Sequence, residues 1–211
     1  VIGIFGGTFD PVHYGHLRPL LEVREALHLD EVRLIPCYIP PHRGTPGATP
    51  AQRLAMLQLA VDEIPGFVID ERELQRGGPS YMVDTLQSLR DEVGSAPLIF
   101  ILGMDAFNKL DTWHEWSRLI ELAHIVVMLR PGSAMPNGAV AELVSEHRVQ
   151  AVSELQKTAA GGLWFQPVTQ LEIAATAIRE RVAQGRDIRF LVPETVRKYI
   201  EVNGLYPLQK Q

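Results

Sequence analysis

The chain has 211 residues, 46% of them hydrophobic and 21% charged, which is enough apolar content for a full core and too much for a disordered chain. A formal net charge of −5 argues against broad binding to nucleic acid or to a membrane surface. A single cysteine, Cys37, excludes an internal disulfide and reads as a small buried hydrophobe, since no activating partner stands near it in sequence.

In chain order, "IGIF" (2–5) reads as a first strand, and Leu17, Leu20, Leu21 and Leu27 follow with the 3.6-residue rhythm of a helix. "VRLIP" (32–36) is a second strand, and a loop dense in Pro, Gly and Thr, "CYIPPHRGTPGATP" (37–50), leaves it. Thr49 caps the next helix, Pro50 suits its first position, and Leu54, Leu57, Val61 and Ile64 mark its apolar face. Ser80 stands before "YMVDTLQSLRDEV" as another N-cap. "PLIFIL" (97–102), "HIVVML" (124–129) and "LWFQPV" (163–168) complete five apolar runs without polar alternation, the pattern of strands covered on both faces of a parallel sheet. A second loop, "RPGSAMPNG" (130–138), follows the fourth run. "IAATAIRERVAQG" and "PETVRKYIEVNG" are two closing helices, each ending at a glycine, the second starting at Pro193.

Strands alternating with helices predict a doubly wound, Rossmann-like α/β fold with a parallel sheet. Residues 1–211 are read as one domain, with an α/β core over 1–170 and a small C-terminal helical cover over 171–211. No apolar run reaches transmembrane length and no charged stretch precedes a long apolar one, so the expected setting is the cytoplasm.

"GGTFDPVHYGH" (6–16) is a poor way to build a core. Gly6 and Gly7 let backbone approach a ligand, and their amides, with those of Thr8 and Phe9, are candidate anion donors. A helix starting near Gly15 adds its positive dipole end, with His13 and His16 beside it, facing one phosphate group. The spacings G-x-G-x-x-G and G-x-x-x-x-G-K-[ST] are both absent here. Two histidines without a third ligand make an incomplete zinc site, and no residue is assigned to a metal.

This stretch resembles the signature of the H-x-G-H nucleotidyltransferases, and "PPHR" (40–43), "GGPSYMVDTL" (77–86), "GMDAFNKLDTWHEW" (103–116), "LRPG" (129–132) and "AATAIRERV" (174–182) resemble further segments of the bacterial nicotinate mononucleotide adenylyltransferase family, in the right order. The resemblance covers essentially the whole chain. It implies transfer of AMP from ATP to nicotinate mononucleotide, giving nicotinate adenine dinucleotide and pyrophosphate. It implies a phosphate grip by His13, His16, Thr176 and Arg179, with Gly103 and Asp105 near the nucleotide's sugar. Trp113 would stack on the acceptor's pyridine ring, Thr85 would lie close to its carboxylate, and Tyr81, Arg43 and the His114 amide complete the acceptor side. Tyr81 reads equally well as a core aromatic, and Arg43 as a solvated charge. Arg130 is a weaker candidate for the phosphates. Where the family has a serine, this chain has Ala174, which removes one hydroxyl from the phosphate end.

The chemistry is consistent with the residues at hand. A phosphate monoester, with a second pKa of about 6, is a nucleophile without a strong base. The reaction needs two polyanions held in line and the leaving charge neutralised. Nearby phosphates would favour charged imidazoles at His13 and His16. Mg²⁺ is expected to arrive with ATP, as no paired carboxylates are evident. Two alternatives stay open at this point: another phosphorylated acceptor such as phosphopantetheine, or a module that binds nucleotide without turnover.

Overall fold

The computed structural model describes residues 1–41 and 44–207. Six parallel strands lie in the order β3-β2-β1-β4-β5-β6, the strand order of a doubly wound sheet. They are β1 (Ile2–Gly7), β2 (Glu31–Pro36), β3 (Phe67–Ile69), β4 (Leu98–Gly103), β5 (His124–Leu129) and β6 (Leu163–Pro167). The order reverses between β1 and β4, which opens a crevice at their carboxyl ends. The five expected strands are present. The sixth, β3, escaped sequence reading because it has three residues and lies at the edge of the sheet, with Val68 exposed.

The apolar runs behave as sheet-interior strands do, with successive residues entering opposite layers. Phe5, Ile99, Ile101, Val126 and Met128 face one layer, and Ile4, Phe100, Leu102, Ile125 and Val127 face the other. The first layer is closed by α1 (Tyr14–Leu27) and α2 (Pro50–Val61), through Leu17, Leu20, Met56 and Leu57. The second is closed by α3 (Arg72–Arg76), α4 (Met82–Val93), α5 (Met104–Phe107), α6 (Leu119–Leu122) and α7 (Gly138–His147), with Leu86, Leu89, Phe107 and Ile120 among the buried contacts.

The C-terminal helices α8 (Ala175–Ala183) and α9 (Glu194–Val202) pack on the first layer through Ile178, Val196 and Ile200. Leu205 and Tyr206 continue the same contact past α9. Pro193 is the N-cap of α9 rather than its first helical residue.

At the start of α2, Thr49 accepts from the Gln52 amide at 3.2 Å and the Gln52 side chain accepts from the Thr49 amide at 2.9 Å. That is a capping box, with Pro50 at the first helical position as expected. At α4 the cap is Tyr81, not Ser80. The Ser80 hydroxyl instead accepts the Tyr38 amide at 2.9 Å and so ties the 37–50 loop to the entry of α4.

α2 also carries Arg53, fully buried directly behind the β1 exit. Its guanidinium donates to the Thr8 carbonyl at 2.8 Å and to the Tyr38 carbonyl at 3.1 Å. A buried cation that joins two loops in this way is costly to disturb, because its carbonyl partners lose their donors. Arg53→Met is expected to lower unfolding free energy by about 1–3 kcal/mol, read as a reduced urea midpoint with unchanged slope.

Candidate active site

β1 runs two residues further than its apolar core implies. Gly6 pairs with Ile35 and Gly7 with Pro36, and the Gly7 carbonyl accepts the Cys37 amide at 3.0 Å. The glycines are therefore strand residues, not turn residues. Their lack of a side chain matters because a Cβ at Gly6 would come within 2.6 Å of the Met82 methyl, and one at Gly7 within 3.0 Å of the Phe9 ring. The turn itself falls on Phe9, in the left-handed region with φ 51 and its ring buried. Only the backbone of Phe9 is left to meet a ligand.

After this turn the chain enters α1. His13 is its N-cap and His16 stands in its first turn. The two imidazoles stack with centroids 3.7 Å apart and planes 22° from parallel. The edge of one ring meets the other's neighbour as well, with Phe9 set against His16 at 5.3 Å. The His13 amide donates to Nδ1 of His16 at 3.3 Å, which places a neutral His16's ring proton on Nε2. Gly15 makes the stack possible. A Cβ there would lie 2.9 Å from the His13 ring and 3.0 Å from the Ile173 carbonyl. The glycine between the histidines is thus a requirement of packing.

His13 is 4% exposed, and burial together with the positive charge of Arg130 lowers its pKa to about 4. Without nucleotide, His13 is neutral at pH 7. Its Nδ1 is buried without a hydrogen-bond partner. Arg130, following β5, comes close enough to His13 for its charge to be felt.

On the far side of the notch, α8 carries Thr176, exposed in its first turn, and Arg179. Arg179 Nη1 donates to the Asp10 carbonyl at 2.8 Å and Nη2 to the Thr176 hydroxyl at 3.3 Å. Ala174 is the N-cap of α8 and offers no side-chain cap.

A cavity of about 420 Å³ opens between the ends of β1, β2 and β4. Gly6, Gly7 and Thr8 form one wall, and Asp105, Trp113 and His114 form another. Tyr81 bridges them, its ring 4.5 Å from that of His114. Trp113 is half-buried and tilted on Phe100, with one side turned to the cavity. Gly103 ends β4 and caps α5, a backbone position beneath Asp105. Thr85 lies behind the wall, not on it. It is fully buried, its hydroxyl donates to Glu73 at 2.6 Å, and Arg76 donates to it at 3.1 Å. Arg43 lies outside the described residues.

Three residues that sequence reading passed over help to form this site. Glu73 lines the cavity, and burial pushes its carboxyl pKa up against the lowering by the Thr85 and Ser80 hydroxyls. Lys109 brings a cation to the same wall. Asp105, Lys109 and Trp113 reach the same cavity although the segment between them is a short helix followed by a 3-10 turn, so no regular spacing announced Lys109. Asp10, given no role within the 6–16 stretch, is a buried acceptor. Among the described residues no cluster of three or more His, Cys, Asp or Glu side chains is placed to hold a metal ion. A larger hollow of about 950 Å³ among α1, α2 and the start of α9 is walled by Leu17, Leu21, Leu59 and Ile64 and carries none of the candidate residues.

Residues 4–181 match the family described as cytidylyltransferase-like. A protein of Aeromonas hydrophila named "probable nicotinate-nucleotide adenylyltransferase" is 50% identical over 206 residues, 97% of this chain and 96% of its own. One of Methylococcus capsulatus with the same name is 50% identical over 208 residues, 98% of this chain and 99% of its own. The chain belongs to the nicotinate-nucleotide adenylyltransferase family. A solved structure of the Plasmodium falciparum nicotinic acid mononucleotide adenylyltransferase complexed with NaAD superposes with a TM-score of 0.71 at 15% identity. The match spans 97% of this chain and 96% of that one, and at this identity it speaks for the fold alone. No helix among the described residues is long and apolar enough to cross a membrane.

The neutral state of His13 has a consequence for stability. The unfolded chain binds a proton at this imidazole near pH 6.5, whereas the folded chain does so only near pH 4. Stability contributed through this group is present above about pH 6.5 and is lost as pH falls toward 4, by about 3 kcal/mol in all. His13→Gln is expected to flatten that part of the pH dependence in urea unfolding between pH 7 and 4. An unchanged slope would show that His13 is not the titrating group.

Proposed function

We propose that this chain transfers AMP from ATP to nicotinate mononucleotide, giving nicotinate adenine dinucleotide and pyrophosphate, at the crevice between β1 and β4. The observation that carries the reading is one juxtaposition: stacked histidines at the N-terminus of α1 beside a cavity walled by Trp113, Tyr81 and His114. A helix N-terminus with imidazole donors suits polyphosphate, and a half-buried indole face suits a pyridine ring.

In this reading the acceptor's phosphate oxygen attacks the α-phosphorus of ATP in line. A new P–O bond forms, the bond to the bridging oxygen breaks, and pyrophosphate leaves with the electron pair. No covalent intermediate or strong base is required, because the nucleophile is already ionised. His16, through Nε2–H, and His13 stabilise the charge that grows on the leaving group. Thr176 and Arg179 hold the distal phosphates, with Arg130 adding positive potential near His13. Backbone at Thr8 and Phe9 lies along the α-phosphate, and Gly103 and Asp105 meet the ribose. Proton uptake by His13 on nucleotide binding follows from its neutral resting state.

On the acceptor side Trp113 stacks on the pyridine ring, with Tyr81 and His114 at its edge. Lys109 supplies the cation that an acid-bearing ring requires. Thr85 acts from behind the wall by holding Glu73. Burial raises the Glu73 carboxyl pKa, which weakens the repulsion it presents to the ring's carboxylate. Mg²⁺ is read as entering on the ATP phosphates, where it would neutralise leaving-group charge. The wall offers Asp105 and Glu73, too few anionic donors for a protein-held cage, which fits an ion carried mainly by the nucleotide. The cytoplasm is the compartment we propose.

The test is pyrophosphate release with ATP against nicotinate mononucleotide, nicotinamide mononucleotide and phosphopantetheine, with the first expected to be the preferred acceptor. His16→Ala is expected to lower kcat by about 10²–10³ without a change in Tm. Wild-type turnover of that variant at saturating ATP would remove His16 from the mechanism.

A further inference from the structure

The notch is supported from behind by the last described residues of the chain. Asp10 is 5% exposed, and each of its carboxylate oxygens accepts at least one hydrogen bond. Oδ2 accepts the Gly47 amide at 2.7 Å, while Oδ1 accepts the Ala48 amide at 3.0 Å and the Tyr206 hydroxyl at 2.7 Å. The Asp10 carbonyl takes Nη1 of Arg179, and that nitrogen stands 3.8 Å from Oδ2, an ion pair too long for a hydrogen bond.

Tyr206 is itself held with care. It is buried, with a left-handed backbone at φ 58. Its ring lies where a Cβ on Gly47 would be, 2.9 Å away, and the Arg179 Cδ is 3.3 Å from the same point. Burial and the charge of Asp10 raise the phenol's pKa, so the hydroxyl remains a donor at neutral pH. Four separate segments thus meet at one carboxylate: the turn after β1, the entry to α2, α8, and the chain beyond α9.

We propose that Tyr206 is a positioning residue for the ATP phosphates, acting through Asp10 on Arg179. Three donors on two oxygens fix the orientation of the carboxylate and keep it from turning to close a hydrogen-bonded pair with the guanidinium, so Arg179 stays poised at the mouth of the notch. Without the hydroxyl, Oδ1 loses a donor, and the carboxylate turns toward the Arg179 guanidinium beside it. Arg179 is then held by the protein instead of by the nucleotide. The proposal rests on the reading that Arg179 meets the phosphates.

The experiment is a double-mutant cycle of Tyr206→Phe with Arg179→Ala, measured by steady-state kinetics in both substrates and by Tm. Tyr206→Phe keeps the ring and is expected to raise KM for ATP about tenfold, the scale of one hydrogen bond to a charged group, with KM for nicotinate mononucleotide unchanged. In the Arg179→Ala background the same change is expected to add nothing. A lowered Tm with unaltered KM for ATP, or additive effects in the cycle, would make Tyr206 merely structural and overturn the proposal. Gly47→Ala displaces the ring from the other side, and the same selective rise is expected there. An unaltered KM for ATP in that variant counts against the proposal in the same way. If Arg179→Ala alone left both ATP parameters at wild-type values, the phosphate reading itself would fail and the role of Tyr206 with it.

Discussion

Two imidazole rings lie face to face at 3.7 Å over the first turn of α1, and the rest of the site depends on their being there. Stacking two imidazole rings this closely is tolerable only if they are not both charged. Burial of His13 and the field of Arg130 meet that condition by keeping one of them neutral. The backbone makes the room: Gly15 gives way to the His13 ring, and the left-handed turn at Phe9 brings the chain back toward its own strand. The arrangement waits for negative charge. In the proposed reading, a polyanion entering the notch would supply the missing counter-charge.

Around this stack the protein uses buried polar groups as ties between loops. Arg53 joins the turn at Thr8 to the loop at Tyr38, Ser80 joins that same loop to α4, and Thr85 joins α4 to Glu73. Asp10 does the same for the entry to α2 and the C-terminal segment. Each tie lies at the carboxyl edge of the sheet, where loops would otherwise have only solvent to order them. Rigid strands therefore end in a rim whose shape is held by hydrogen bonds, which suits a reaction that relies on position more than on a reactive side chain. The C-terminal helices belong to this scheme as much as to the core: Ile178, Val196 and Ile200 fasten them to the first layer, and Arg179 and Tyr206 reach the rim.

The parts of the fold that could be read beforehand were those dictated by local pattern. The five apolar runs, the helix after Thr49-Pro50 and the two closing helices all follow from periodicity and capping chemistry. β3 was missed because three residues carry no period. Ser80 was assigned as a cap because hydroxyls before helices usually serve that way, whereas here the hydroxyl accepts from a loop 42 positions away. Gly6 and Gly7 read as backbone open to a ligand, and they are the last two residues of β1. The turn went to Phe9, whose buried ring is held well enough by packing to bear the conformation.

By itself the sequence determined the doubly wound class, the position of the notch after β1 and the family to which the chain belongs, since these rest on residues close together along the chain. Tertiary structure alone decided the protonation of His13, the withdrawal of Thr85 behind Glu73, and the meeting of Asp10 with Tyr206 across 196 positions. The physical reason is common to all three. Burial and partnership set what a polar group can do, and both come from segments that only the folded chain brings together.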